Sequence, residues 1–215
     1  MKYISLLRNY VLRGFLDIPY VLLNQNKNAL EILDKDTFYL LEMCNGKIDM
    51  DVAFLTKQQR QKLQLFIEQG VLKISETATP ISPVKEYKKA DNYYLKSIHW
   101  SVTGQCNLRC RHCYMSAPDY KYKDLSTDEC LNIIDQMEQA NVASVSITGG
   151  EPFVRKDIWI ILEYIRKKGI VITQIYTNGI LVTEEVLNRL EELDCSPQFI
   201  LSFDGISGHD CRVSR

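Results

Sequence analysis

An α/β fold is predicted, in the form of a parallel sheet preceded by a small α+β domain. Three observations support it: a proline-bearing break near residue 80, short strands and helices before it, and a strictly alternating strand–helix pattern after it. In the front part, residues 20–23 and 28–33 have the composition of short strands. Asp34 or Asp36 is placed to cap a helix carrying Phe38, Leu40, Leu41 and Met43, and Asn45-Gly46 stops it. Thr56 opens a second helix with Leu63, Phe66 and Ile67 on one face, ended by Gly70, and residues 71–74 form a closing strand. Thr79-Pro80-Ile81-Ser82-Pro83 begins a linker covering 79–95, polar in its second half.

From residue 96 to 215 four βα-type units follow. Ile98, Trp100 and Val102 alternate with polar residues as in a strand with one buried face. Ser126-Thr127-Asp128-Glu129 is a capping box opening a helix with Leu131, Ile134 and Met137 on its apolar side. Residues 142–147 give the second strand, 157–168 a helix, 170–176 the third strand, a helix capped by Thr183 follows, and 199–203 give the fourth strand. Such alternation implies a parallel sheet with right-handed crossovers, and chemistry at the carboxyl ends of the strands. Arg166, Lys167 and Lys168 are expected as solvated charges complementing a helix C-terminus.

Composition narrows the function classes. The chain has 215 residues, 46% hydrophobic and 25% charged, with a net charge of −1. That balance gives no electrostatic reason for a nucleic acid or an anionic membrane as partner. The apolar patches at the N-terminus are interrupted by Lys2, Arg8, Arg13 and Asp17, so neither a membrane span nor a signal peptide is predicted, and a cytoplasmic location is expected.

Seven cysteines are present, three of them within eight residues at Cys106, Cys110 and Cys113. Without an export signal this spacing points to a metal rather than to disulfides. The i, i+4, i+7 spacing also fits one stripe of a buried helix. The residues between are mostly polar or charged, which disfavours that reading. A structural zinc wants four ligands, and His112 adjoins Cys113, so the two rarely face one ion. Three thiolates on a four-iron cube leave one iron open to an outside ligand. Cys44, Cys130 and Cys195 sit in apolar patterns or helix starts and are expected to be ordinary residues, with Cys211 left open.

CxxxCxxC after a first strand resembles the signature of the radical S-adenosylmethionine (SAM) family. The resemblance implies a [4Fe–4S] cluster on Cys106, Cys110 and Cys113 whose open iron chelates the amino and carboxylate groups of SAM. It implies reductive cleavage of SAM to a 5′-deoxyadenosyl radical that abstracts hydrogen from substrate, and an electron donor such as flavodoxin or ferredoxin. His112 then matches the residue beside the adenine. Gly149, Gly150, Glu151 and Pro152, one unit later, are similar to the family's GGEP motif, which holds the SAM amino group. Taken alone they make a Gly-Gly turn where a ligand approaches the backbone, with Glu151 as acceptor for an ammonium. Thr177 and Asn178 end the third strand, and Ser202 and Asp204 the fourth. They are Asn-Gly and Asp-Gly turns by composition, and by resemblance they contact the ribose and the methionine carboxylate. Arg212 resembles a recurring position in peptide-modifying members.

Residues 1–78 form a winged-helix-like pattern that resembles, more weakly, the PqqD-like leader-recognition domain of enzymes modifying ribosomally made peptides. The implied partner is a precursor (leader) peptide bound by strand addition at a sheet edge, and the plain alternative is a stabilising N-terminal domain. The expectation is a peptide maturase of the SPASM-type group, with thioether formation as an example of its product. Its alternatives are a truncated, non-catalytic peptide-binding protein and a radical SAM enzyme acting on a small molecule or a protein side chain. Relatives continue for two further βα units and often a Cys-rich domain with auxiliary clusters. The resemblance therefore implies that the four strands here are a partial (β/α) barrel, a fragment or truncated product with one uncovered edge.

Overall fold

In the computed structural model, residues 2–25, 27, 29–117 and 123–203 are described. The chain forms two compact units, Met1–Tyr94 and Leu95–Arg215. Of the expected site residues, Asp204 and Arg212 lie outside the described residues, as does Cys211.

The first unit contains β1 (Tyr3–Leu6), β2 (Tyr10–Gly14), β3 (Val21–Asn24), β4 (Ala29–Ile32), α1 (Lys35–Met43), β5 (Asn45–Asp49), α2 (Lys57–Glu68), β6 (Leu72–Ser75) and β7 (Lys88–Lys89). They form a three-stranded sheet ordered β5-β1-β6 and a four-stranded sheet ordered β4-β3-β2-β7. The predicted β3, β4 and β6 are present, and β1, β2, β5 and β7 join them. Asp34, not Asp36, caps α1, its carboxylate accepting the Thr37 amide at 2.8 Å. Thr56 and Gln59 close a reciprocal capping box on α2. Phe38, Leu41, Leu63 and Phe66 from the helices bury against Ile4, Leu12 and Leu22 from the strands.

The missed β2 shows how a charge misleads. Arg13 reads as an interruption, yet it is buried. Its guanidinium donates to the carbonyls of Leu12 at 2.8 Å, Glu86 at 2.8 Å and Val84 at 2.7 Å. A buried cation is tolerated when its donors are satisfied in this way. The same contacts order residues 84–86 on this unit, ahead of β7, which pairs with β2.

The second unit contains β8 (Ile98–Ser101), α3 (Thr127–Gln139), β9 (Ser144–Thr148), α4 (Ile158–Lys167), β10 (Val171–Thr177), α5 (Glu184–Glu192) and β11 (Gln198–Leu201). The sheet is parallel and its strand order follows the chain, β8-β9-β10-β11. Val145, Ile147, Ile172 and Ile175 pack against Ile134, Ile161, Leu162 and Ile165 of the helices. Lys168, expected in solvent, instead joins two helices: its ammonium lies 2.6 Å from Asp135 and 2.9 Å from Glu138 of α3. Arg166 reaches the Leu193 carbonyl at 3.4 Å.

One irregularity positions the site. β9 residues Val145 and Ser146 pair with Ile172 and Gln174, which leaves Thr173 as an extra residue in β10. A bulge shifts the two-residue alternation by one. Ile175 and Thr177, rather than Gln174 and Tyr176, therefore share the buried side with Ile172.

Candidate functional site

The site is built at the carboxyl ends of β8, β9 and β10, where three loops meet. After β8 the chain runs into the segment carrying Cys106, Cys110 and Cys113, all half-buried and none in a disulfide. The Cys113 amide donates to the Cys110 carbonyl at 3.2 Å, and the Ser116 amide to Cys113 at 3.1 Å, so turns rather than a helix present these residues. The helical-stripe alternative fails on that geometry. The Cys106 Sγ accepts the Leu108 amide at 3.4 Å and lies 4.0 Å from the Asn178 side-chain Nδ2. Its thiol is pushed up chiefly by burial, with the nearby Glu151 and Cys113 adding to the effect. His112 is exposed on the same segment.

The first residues of this loop are gripped from two directions. From β9, the Gly150 amide donates to the Thr103 carbonyl at 2.9 Å and the Glu151 amide to Gln105 at 2.8 Å. A Cβ on Gly149 would lie 2.4 Å from the Thr103 oxygen, and one on Gly150 would lie 2.3 Å from the Gln105 oxygen. The close approach that requires glycine is thus made by the chain's own cysteine loop. From the far end of the loop, Asp124 accepts the Thr103 hydroxyl at 2.6 Å, the Gly104 amide at 2.9 Å and the Gln105 side-chain amide at 3.0 Å.

Glu151 binds the end of β9 to the end of β10. It is fully enclosed. Its carboxylate accepts the Thr177 hydroxyl at 2.9 Å, the Asn178 amide at 2.8 Å and the Phe153 amide at 3.3 Å. Burial raises its pKa above the ordinary carboxylate value, and these donors oppose the rise. The sequence reading gave this carboxylate to an ammonium. In the structure it faces inward to the residues that the β10 bulge delivers. Asn178 carries the connection onward, donating to the Asn107 side chain at 2.8 Å. Ser202 extends the β10–β11 pairing, its amide donating to the Thr177 carbonyl at 3.1 Å.

Beneath the loop, Arg155 is buried. It donates to the Val102 carbonyl at 2.6 Å, the Leu125 carbonyl at 2.7 Å and both oxygens of Asp157 at 2.8 and 2.9 Å. Asp157 also accepts the Thr127 hydroxyl at 2.6 Å, and it makes no side-chain cap on α4. Sequence reasoning missed Asp124, Arg155 and Asn107. Each makes only contacts distant in sequence or lies in a polar stretch, so no local periodicity marks it. Cys44 and Cys195, by contrast, behave as expected: both are buried, which pushes their thiols up to about 12 and about 11.

Among the described residues, no three His, Cys, Asp or Glu side chains form a ready cage for one ion. A cubic cluster does not ask for one, since each cysteine ligates a different iron. The soft thiolate donors on one partly enclosed loop suit that group.

A family model described as the Radical SAM superfamily matches residues 100–208. The chain belongs to the radical SAM superfamily, a class defined by a [4Fe–4S] cluster and SAM. Among curated relatives, the mycofactocin maturase MftC of Mycobacterium ulcerans (strain Agy99) is 40% identical over 96 residues, 45% of this chain and 26% of that protein. The Fe-coproporphyrin III synthase of Methanosarcina barkeri (strain Fusaro / DSM 804) is 38% identical over 108 residues, 50% of this chain and 27% of that protein. Both matches span about a quarter of the relative's own length. The crystal structure of Streptococcus suis SuiB bound to precursor peptide SuiA shares the fold with a TM-score of 0.60 at 16% identity, covering 96% of this chain and 49% of that one. SuiB bound to S-adenosylmethionine gives 0.55 at the same identity. No helix among the described residues is long and apolar enough to cross a membrane.

Proposed function

We propose that this protein is a radical SAM peptide maturase that modifies a ribosomally made precursor peptide. Cys106, Cys110 and Cys113 hold the cluster. The turn of Gly149, Gly150, Glu151 and Pro152, together with His112, Thr177, Asn178 and Ser202, would hold SAM, and Asp204 is assigned to it by the family resemblance alone. When bound, these groups supply a one-electron reductive cleavage of the sulfonium. The protein's own residues orient and enclose: Glu151 locks two strand ends together, and Asn178 links them to the cysteine loop. The four-stranded sheet is read as part of a (β/α) barrel.

The observation that carries the peptide reading is the 40% identity to a protein named a maturase, supported by a fold likeness to SuiB over 96% of the chain. The first unit is read as a PqqD-like, winged-helix-like leader-binding domain. β4 is an outermost strand of its sheet, the kind of edge to which an extended peptide can add a strand. Cross-linking, with a thioether as the example, is the proposed outcome on the peptide.

The test is anaerobic reconstitution with iron and sulfide, followed by SAM and dithionite. An enzyme releases 5′-deoxyadenosine. Absence of that product from cluster-loaded protein, with a labelled leader peptide still bound, would leave only a peptide-binding protein. A second reading, a small-molecule substrate, is favoured by the 38% identity to Fe-coproporphyrin III synthase. Substitutions on β4 that abolish peptide turnover while SAM cleavage persists would count against it.

A further inference from the structure

We propose that Asp124 is a positioning residue that staples the outgoing end of the cysteine loop to its incoming end, and so governs how tightly the loop retains an iron–sulfur cluster. The proposal rests on the reading of Cys106, Cys110 and Cys113 as cluster ligands. All three lie between the stapled ends. On the incoming side Asp124 takes the Thr103 hydroxyl, the Gly104 amide and the Gln105 side-chain amide at 2.6, 2.9 and 3.0 Å. The Thr103 hydroxyl in turn accepts the Gln105 amide at 3.0 Å, which fixes the residue before Cys106.

Three donors on one carboxylate are charge-assisted bonds with defined directions. A flexible loop whose ends are not held together pays a closure entropy when it gathers around a ligand. The staple removes that cost before the cluster arrives. The neighbouring Ser126 serves as an internal contrast. Its hydroxyl and amide bond with Glu129 at the start of α3, a helix cap closed within residues 126–129. Groups that orient metal ligands without touching the metal typically change affinity by about 10–100-fold when removed.

The test measures the rate at which a ferrous chelator strips iron from the full chain after anaerobic reconstitution. Asp124→Ala is expected to release iron about 10–100-fold faster than wild type. Asp124→Glu should recover part of the loss, and Ser126→Ala should match wild type even though it weakens a helix cap. If the alanine variant does not fold, Asp124→Asn carries the test, since one remaining acceptor places it between the two. Wild-type release from Asp124→Ala, or equal acceleration by Ser126→Ala, overturns the proposal. A wild-type chain that takes up no cluster overturns the parent reading of the cysteines, and this one with it.

Discussion

Gly150→Ala is the sharpest perturbation of the contact between the glycine turn and the cysteine loop. Unlike Gly149, whose φ is +144°, Gly150 is not in the left-handed region, so alanine brings a packing problem without backbone strain. Its Cβ would meet the Gln105 oxygen at 2.3 Å, the Gln105 carbonyl carbon at 2.7 Å and the Gly104 oxygen at 2.9 Å. Ordinary contact begins near 3.4 Å, so the loop backbone must retreat by roughly 1 Å. That retreat stretches the two backbone bonds from Gly150 and Glu151 to Thr103 and Gln105 beyond useful length. Each is worth about 1 kcal/mol, and more where a buried partner is left unsatisfied, so a loss of about 2–4 kcal/mol is expected. Cys106 immediately follows Gln105 and moves with it. Urea unfolding of the apo protein and iron content after reconstitution give the two readouts, and both should fall. A variant with unchanged stability and full iron would refute the argument that the glycines serve the cysteine loop.

Other consequences follow from the buried polar network. Glu151→Ala strands the Thr177 hydroxyl and the Asn178 amide and should cost about 2–5 kcal/mol. Glu151→Gln keeps an acceptor without the buried charge and should be much milder in the same denaturant titration. Removing Arg155 leaves the Val102 and Leu125 carbonyls unmet and Asp157 unpaired, a loss of about 3–5 kcal/mol by thermal unfolding. Asp157 is held below the usual carboxylate range, first by the Arg155 guanidinium and against the effect of burial. Its stabilising contribution is therefore complete above the ordinary aspartate value of about 3.9, and it is lost as pH falls through the lower folded value. Acid titration of Asp157→Asn should show a flatter stability curve in that window. Asp34→Ala removes the α1 cap and should cost about 1 kcal/mol, read as a lower unfolding midpoint.

Local chemistry explains what could be read from the sequence. Ser126, Thr56 and Thr183 announce their helices because a cap is a contact within three residues. The parallel strands of the second unit emerge from alternation and turn residues, and the cysteine triplet from its spacing. What escaped depends on distant partners. Arg13 hides β2 because carbonyls that satisfy its donors lie far along the chain, at residues 84 and 86. The bulge at Thr173 is set by the partner strand, and it turns Thr177 inward although sequence alternation alone places Tyr176 beside Ile172. Glu151 was found by its motif, but its inward orientation comes from β10. Asp124 acts through residues 103–105, and Arg155 reaches the distant carbonyls of Val102 and Leu125 besides its neighbour Asp157.

Cys106, Cys110 and Cys113, three thiols on one loop, are proposed to hold a four-iron cluster. Iron and sulfide content measured on anaerobically reconstituted protein tests it most directly, comparing wild type with the variant carrying Cys106→Ala, Cys110→Ala and Cys113→Ala. About four irons per chain are expected for wild type and almost none for the triple variant. Equal iron in both would contradict the claim.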